Sequence, residues 1–303
     1  MPVKAFLSYE QQLDLLESRG LQIEDRVRAE EVLKHHNYYR FSAYRFPFQC
    51  GKDQFVAGTT FDDLWKLYTF DRGLRLLVGE ACKSLEISVR ARWAYILGEV
   101  GGELVYQDPE KFKNAQQHTK HLASLDREIG RSHEAFIPHY QKNHNMPRPP
   151  IWAACEVMSF GLLSRFYANI KQARLKKEIS QTYGMSAGGL ESLLRHASYL
   201  RNLCAHHSRL WNRSFTITVS LPTSQPSVVV PALNTDARAE RLVYNSLVLL
   251  AHTMSIVSPQ NDWKKRLKTH LLTLNRPNHD EMGFPNQWQH LPFWSDTKDG
   301  TLS

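Results

Sequence analysis

Apolar side chains recur at steps of three and four residues along most of this chain, the spacing that places them on one face of an α-helix. The longest such stretch, Phe61–Leu97, contains no proline and suits a long bundle helix. The pattern predicts helices over Tyr9–Gly20, Arg26–His36, Phe61–Leu97, Ile151–Ile170, Leu190–His207, Arg238–Val257 and Trp263–Leu274, with a short helix after Lys171–Lys177. The sequence therefore predicts an all-α fold.

Three stretches depart from this pattern. Residues 103–150 are polar, rich in His and Lys, and end in the helix breaker Pro147-Arg148-Pro149-Pro150. Residues 215–231 alternate weakly and carry three prolines, which indicates either a small β-hairpin or an extended loop. The polar tail from Arg276 is expected to wrap the body or to fray. We predict an N-terminal helical and aromatic region (1–57), a helical bundle (58–275) and a C-terminal tail (276–303).

An aromatic segment lies between the second helix and the long one. Residues 38–48 read YYRFSAYRFPF, with arginines among the rings. Such rings can stack on nucleic-acid bases, but packing between domains explains them as well and is the interpretation we favour.

Composition places the chain among ordinary globular proteins. Its 303 residues are 42% hydrophobic and 22% charged, and its four cysteines lack close spacing. The cysteine spacing therefore predicts neither a zinc site nor a disulfide framework, and a reducing cytoplasm is the simplest expectation for where the protein is found. Met1–Tyr9 lacks the pattern of a signal peptide, and polar residues interrupt the apolar stretch Leu242–Val257, so no membrane association is expected.

Positive charge is concentrated in one part of the chain. The net charge is +8, and residues 161–215 carry nine Lys or Arg residues against Glu178 and Glu191. This distribution favours a polyanionic partner such as nucleic acid, although a solvated basic face would look the same.

The most specific chemical feature is Arg201-Asn202-Leu203-Cys204-Ala205-His206, late in a predicted amphipathic helix. An Arg, a polar residue, three variable positions and a His form the signature of the HEPN (higher eukaryotes and prokaryotes nucleotide-binding) ribonucleases. By composition, roughly one such Arg–His pair is expected by chance. The context adds specificity, since Asn202 can orient Arg201 or hold a phosphate oxygen. Four further side chains are candidate RNA-binding residues: Arg195, His207, Arg209 and Arg213.

These residue types suit RNA cleavage without a metal ion or other cofactor. RNA supplies its own nucleophile, the 2′-hydroxyl. A histidine moves protons near neutral pH, and an arginine stabilises the charge that develops on the phosphorus oxygens. The predicted products are a 2′,3′-cyclic phosphate and a 5′-hydroxyl, with Arg201, Asn202 and His206 as catalytic residues.

Helix geometry makes a single copy of the motif an incomplete site. Residues five apart are separated by about 140° and 7.5 Å of rise, so Arg201 and His206 do not share a tight face. A homodimer would place two motifs around one groove. The alternative is a surface arginine and a histidine that caps a helix C-terminus, where cations are favoured.

Other charged side chains are weaker candidates. Glu86 and Arg90 lie four apart on the long helix and can pair, or Glu86 can orient Arg201. Glu156 is a second acid that could hold Arg201. His35-His36 and the pair His118 and His121 have no third ligand at sensible spacing, so no metal site is predicted.

Over nearly its full length the chain resembles the Abi-like abortive-infection family, of the AbiD/AbiF type. The resemblance rests on ordered blocks, with departures at Phe41 and Ala43, where the family more often has Leu and Gly. The blocks are Tyr9–Gln12 with Leu15–Leu21, Tyr38–Tyr44, Phe70–Arg75, Leu85–Arg92, Pro150–Trp152 with Glu156, Ser159–Ser164, Leu200–Arg213 and Met282–Pro285.

The resemblance implies a HEPN-like helical bundle with an N-terminal helical extension, and a role in phage defence or toxin–antitoxin control. It also implies likeness to the nuclease halves of RNA-guided type VI CRISPR effectors. Some relatives are thought to be restrained by a small RNA encoded nearby, which makes a regulatory RNA a second expected partner. Two other interpretations stay open: a HEPN module that binds a small RNA or nucleotide without cleaving it, and a regulatory partner protein with a basic surface.

Overall fold

A computed structural model describes residues 5–295 of the chain, which divides into two compact units, Met1–Leu74 and Arg75–Ser303. Within the described residues there are thirteen α-helices and one two-stranded sheet, which confirms the all-α fold with a small hairpin. The predicted division at residues 57 and 275 stays a prediction.

The first unit is built from short elements. They are α1 (Tyr9–Ser18), α2 (Arg26–His35), α3 (Tyr38–Ser42), β1 (Gln49–Gly51) and β2 (Gln54–Phe55). The strands pair antiparallel, with Gln49 opposite Phe55 and Gly51 opposite Gln54. A capping box starts α1, because the Ser8 side chain accepts a hydrogen bond from the Gln11 backbone N–H and the Gln11 side-chain oxygen accepts one from the Ser8 backbone N–H.

Packing inside the first unit accounts for part of the aromatic segment. Phe41 is buried and stacks on Phe61 at 4.8 Å between ring centroids. Tyr44 is also buried, meets Tyr68 edge-on, and donates a 2.6 Å hydrogen bond to a carboxylate oxygen of Asp71. Its neighbours Tyr39 and Phe46 are exposed.

The second unit contains the larger helical body. Helix α4 (Phe61–Gly101) begins in the first unit and continues into the second. The elements that follow are α5 (Ala115–Arg131), α6 (Phe136–Asn143), α7 (Ile151–Val157), α8 (Phe160–Ala168), α9 (Ala173–Gln181), α10 (Ala187–Ala205), α11 (Val243–Val257), α12 (Trp263–Leu271) and α13 (Arg276–Asp280).

The polar stretch 103–150, for which the pattern gave no helix, contains α5 and α6. Asn114 caps α5 by accepting a 2.8 Å hydrogen bond from the Gln117 backbone N–H. The buried face of α5 is formed by His118, His121, Leu125 and Ile129, at steps of three and four. Two of these four side chains are imidazoles, so a purely apolar pattern missed the helix.

Two other helix predictions need correction. The predicted helix Ile151–Ile170 is two helices, because Met158 is extended and Ser159 caps α8. The Ser159 backbone N–H and hydroxyl both donate to the carboxylate of Glu128 at 2.8 Å. Residues 215–231 form no strand, so the extended-loop alternative holds there, and the hairpin is β1–β2 instead.

Helix α11 lies at the centre of the second unit, and every residue from Val243 to Met254 is buried. The described part of the C-terminal tail packs on this core: the Trp294 indole N–H donates to the Tyr244 hydroxyl at 3.2 Å. Residues 296–303 of the predicted tail lie outside the described residues. None of the helices between residues 5 and 295 combines the length and apolar character needed to cross a bilayer.

Candidate functional site: the C-terminal end of α10

Helix α10 ends at the motif in a Schellman arrangement. The Ser208 N–H bonds to the Leu203 carbonyl at 2.8 Å and the His207 N–H bonds to the Cys204 carbonyl at 3.1 Å. His206 is the capping residue, and its side chain is exposed. His207 adopts a left-handed conformation (φ 56°) at a position where glycine is usual. The local backbone therefore presents two consecutive imidazoles at the end of the helix.

The Arg201 guanidinium lies between two oxygen atoms. Its Nη1 donates to Oδ1 of Asn202 at 3.1 Å, and its Nε is 3.9 Å from Oε2 of Glu86 on α4. The arginine side chain is 40% exposed, so the charge is held from one side and open to solvent on the other. Glu86 thus lies where it can orient Arg201, one of the two roles that the sequence suggested for it.

Glu86 is a buried carboxylate with two arginine neighbours. Its Oε1 accepts a 2.6 Å hydrogen bond from Nη2 of Arg90, which also donates to the Met158 carbonyl at 2.7 Å. Burial raises the pKa of Glu86, and the nearby Arg90 and Arg201 charges only partly oppose that shift. Keeping this carboxylate ionised therefore costs folding free energy, a pattern common at functional sites.

Glu156 on α7 is the second acid that the sequence offers as a partner of Arg201, but its carboxylate lies 3.5 Å from Nη1 of Arg90 instead. It therefore reaches the motif only indirectly, through Arg90 and Glu86.

Close helix packing makes the Glu86–Arg201 contact possible. A Cβ added at Gly79 would lie 3.8 Å from the Cβ of Cys204, so α4 and α10 approach closely at a position inside the motif. Cys82 on α4 is fully buried, and burial raises its pKa well above the usual thiol value. Sequence reasoning missed both residues. Small and polar residues form a stripe on one face of α4, at Gly79, Cys82 and Glu86, and this stripe could have indicated the contact.

The candidate RNA-binding side chains are placed differently from one another. Arg195 and His207 are exposed, whereas Arg209 and Arg213 are half-buried. The Arg209 guanidinium lies 5.9 Å from the centroid of the buried Trp211 ring, whose indole N–H donates to the Asn278 carbonyl. The segment after the motif is thereby anchored to the C-terminal part of the chain.

The histidines weighed as metal ligands have structural contacts. A ring nitrogen of His118 lies 2.8 Å from the Tyr106 carbonyl, and burial lowers the pKa of His121 to about 4. Across residues 5–295 no three His, Cys, Asp or Glu side chains group as a metal site. The roles assigned to Arg201, Asn202, His206 and the RNA-binding candidates stay predictions.

Comparison with known proteins identifies a family. A family model described as Abi-like protein matches residues 31–212, which includes α4, α10 and the whole motif. No curated protein and no solved structure matches the chain.

Proposed function

The chain belongs to the Abi-like protein family, and we propose that it is a metal-independent endoribonuclease that acts as an abortive-infection effector. The family supplies the role in abortive infection. Two observations support the chemistry: an exposed imidazole caps the end of α10, and a guanidinium five residues earlier lies beside a buried carboxylate.

In the proposed reaction, the substrate 2′-oxygen attacks the adjacent phosphorus and the bond to the 5′-oxygen breaks. His206 takes the proton of the attacking 2′-hydroxyl, and the departing 5′-oxygen receives a proton from an imidazolium, since the exposed imidazole at the end of α10 is open to a substrate. Arg201 stabilises the extra negative charge on the non-bridging oxygens. The products are a 2′,3′-cyclic phosphate and a 5′-hydroxyl, and no metal ion takes part.

Glu86 and Asn202 act on this reaction through Arg201. A guanidinium has five N–H donors in a fixed plane. One contact to the Glu86 carboxylate and one to the Asn202 amide oxygen fix that plane and leave donors for a phosphate. The buried carboxylate also keeps the arginine from swinging freely into solvent, which lowers the entropy lost on binding.

The second copy of the chain is part of the proposal. Arg201 lies within α10 and His206 lies at its cap, five residues on, so one chain presents them in different directions. A twofold dimer brings two motifs to one groove. The net charge of the second unit favours an RNA partner there, since residues 75–303 hold 28 Lys or Arg residues and 19 Asp or Glu residues. Such a groove would also accommodate a small regulatory RNA.

The test compares purified wild type with Arg201→Ala and His206→Ala on single-stranded RNA, with a chelator present. We expect the wild type to leave 2′,3′-cyclic phosphate ends and both variants to lose at least a hundredfold in rate, while expression of the wild type alone slows cell growth. His133→Ala, which removes an exposed histidine outside the motif, serves as the matched control and keeps full activity.

The non-catalytic binding module is the competing function. It predicts that RNA binds but stays intact, and that His206→Ala changes neither binding nor growth. Cleavage that needs a divalent cation would contradict the proposed mechanism while leaving a nuclease function in place. A regulatory partner protein predicts no growth effect from the wild type or from Arg201→Ala.

A further inference from the structure

The first unit contains a cavity of about 610 Å³ that the proposed chemistry does not use. Its walls come from α1, the last turn of α2, and α3 with the turn that follows it. Small-molecule sites in proteins have volumes of about 300–1,000 Å³, so the cavity is large enough for one ligand of that class. The side chains that line it indicate which ligand.

Three tyrosines form the aromatic part of the cavity wall. Tyr9 is 41% exposed and Tyr39 is 77% exposed, so both rings are accessible to a ligand. Tyr38 is half-buried, and its hydroxyl accepts a 3.2 Å hydrogen bond from Nη1 of Arg19, which holds the ring in place. Accessible aromatic rings are the side chains on which the bases of single-stranded nucleic acids stack. Packing inside the protein does not account for Tyr39, the most exposed of the three.

The cavity wall is also cationic. Of the described residues that line it, none is acidic, whereas Arg19, Lys34 and Arg45 are basic. Lys34 is paired with two glutamates of its own helix. The arginines share one acid, Asp53, whose carboxylate oxygens lie 3.8 Å from Nη2 of Arg19 and 3.2 Å from Nη2 of Arg45. One carboxylate beside two guanidiniums leaves one positive charge uncompensated, which suits a phosphate group.

Two polar atoms on the lining side chains lack hydrogen-bond partners. Nε2 of Gln12 donates to the Leu7 carbonyl at 2.9 Å, while its Oε1 is buried and has no partner within residues 5–295. The same is true of Nε of Arg45. Buried polar groups are nearly always paired, because an unpaired one costs the free energy of its desolvation. A rotation toward the cavity would give each a partner on a nucleotide, namely an N–H of the base edge for Gln12 and a phosphate oxygen for Arg45.

We propose that this cavity binds one nucleotide, with its base against the tyrosine rings and its phosphate against Arg19 and Arg45. A free nucleotide and one nucleotide of an RNA strand share this base and phosphate chemistry. In the first case the cavity is a sensor for a small molecule, and in the second it is an attachment point for RNA. The cavity belongs to the first unit and the motif to the second, so the proposal goes beyond the ribonuclease and does not depend on it.

Calorimetric titration of the full chain tests the stacking. The ligands are the four nucleoside 5′-monophosphates and a mixed-sequence hexanucleotide with 2′-O-methyl riboses, which lacks the attacking hydroxyl and stays intact. Tyr39→Ala should weaken binding about tenfold, because a base loses its stacking partner. Tyr39→Phe keeps the ring and should bind as the wild type does. Tyr95→Ala, which removes an exposed tyrosine of the second unit, is the matched control and should leave binding unchanged.

A comparison with and without the phosphate tests the arginine contact. For the monophosphate that binds most tightly, Arg45→Gln should lower the affinity about tenfold, because a charged hydrogen-bond donor is lost. The affinity for the corresponding nucleoside should stay unchanged, since it carries no phosphate. A cavity distorted by the substitution would lose both ligands equally, and that result would contradict the phosphate contact.

The titrations also identify the source of the nucleotide. A monophosphate that binds as tightly as the hexanucleotide supports the cavity as a site for a free nucleotide. A hexanucleotide that binds more tightly, and loses affinity in Tyr39→Ala, supports it as a site for an RNA strand. If no ligand binds, or if Tyr39→Ala binds every ligand as tightly as the wild type, the proposal is wrong.

The two proposals fail separately. Nucleotide binding that depends on Tyr39, by a protein that leaves RNA intact, contradicts the ribonuclease and supports the cavity. RNA cleavage by a protein whose cavity binds no nucleotide contradicts the cavity and supports the ribonuclease. The variants at Tyr39 and Arg45 change no residue of the motif, so their effects on binding do not depend on its chemistry.

Discussion

Replacing Glu86 by glutamine should separate stability from activity. The pKa of Glu86 is raised by burial, so below the unfolded-state value of about 4.5 the carboxyl is protonated and costs nothing. As the pH rises from there through the folded-state pKa, the free energy of unfolding falls, because the carboxyl ionises more easily in the unfolded chain than in the folded protein. Wild type should therefore lose stability relative to Glu86→Gln as the pH rises above 4.5.

Loss of the negative charge should not leave Arg90 without partners. Its guanidinium keeps the Met158 carbonyl at 2.7 Å and the Glu156 carboxylate at 3.5 Å. The variant should therefore match or exceed the melting temperature of the wild type at pH 7, unlike most changes that break a buried ion pair.

The effect on activity follows from the Arg201 contact. At 3.9 Å, two unit charges attract by about 4 kcal/mol with an effective dielectric constant of 20. Because the Arg201 side chain is 40% exposed, solvent screening reduces this to about 1 kcal/mol. We expect kcat/KM for RNA cleavage to fall roughly fivefold in Glu86→Gln.

The assay pairs thermal unfolding from pH 4.5 to 7.5 with cleavage of a fluorescent RNA. Glu80→Gln is the matched control, since Glu80 lies on the same helix and pairs with Arg266 outside the motif. It should keep full activity and lose a few tenths of a kcal/mol of stability. If Glu86→Gln is destabilised equally at every pH, or cleaves RNA at the wild-type rate, the reasoning about the buried carboxylate is refuted.

Three further predictions concern the fold. His207→Gly should raise the free energy of unfolding by about 0.5–1 kcal/mol, because φ is 56° there; no gain in urea unfolding would contradict the capping geometry. Burial lowers the pKa of His196 to about 4. The stability that the buried neutral imidazole contributes is therefore fully present above pH 6.5 and is lost as the pH falls to 4. Between pH 6.5 and 4 the free energy of unfolding should fall by about 3 kcal/mol less in His196→Asn than in the wild type. An equal fall in both proteins would show that His196 does not cause the loss. Leu250→Ala, in the buried centre of α11, should cost about 2–5 kcal/mol in the same urea assay, and a cost under 1 kcal/mol would place that side chain outside the core.

Local sequence determined several of the helices and the end of α10. The period of apolar positions gave α1, α2 and α4 with ends within a few residues of those observed. The start of α10 was predicted three residues late, because Gly188 and Gly189 look like breakers, whereas the Ser186 side chain caps the helix before them. These features depend on neighbours a few residues away, which one segment of sequence contains.

Tertiary packing decided what the motif touches. Glu86 and Glu156 were equivalent candidates in the sequence, and only the approach of α4 to α10 at Gly79 places Glu86, rather than Glu156, beside Arg201. The same holds for Phe41 and Tyr44, which are buried while Tyr39 is exposed. Periodicity specifies which face of a helix is buried, but the partner of each side chain depends on contacts between segments far apart in the chain, and these arise only when the whole core is packed.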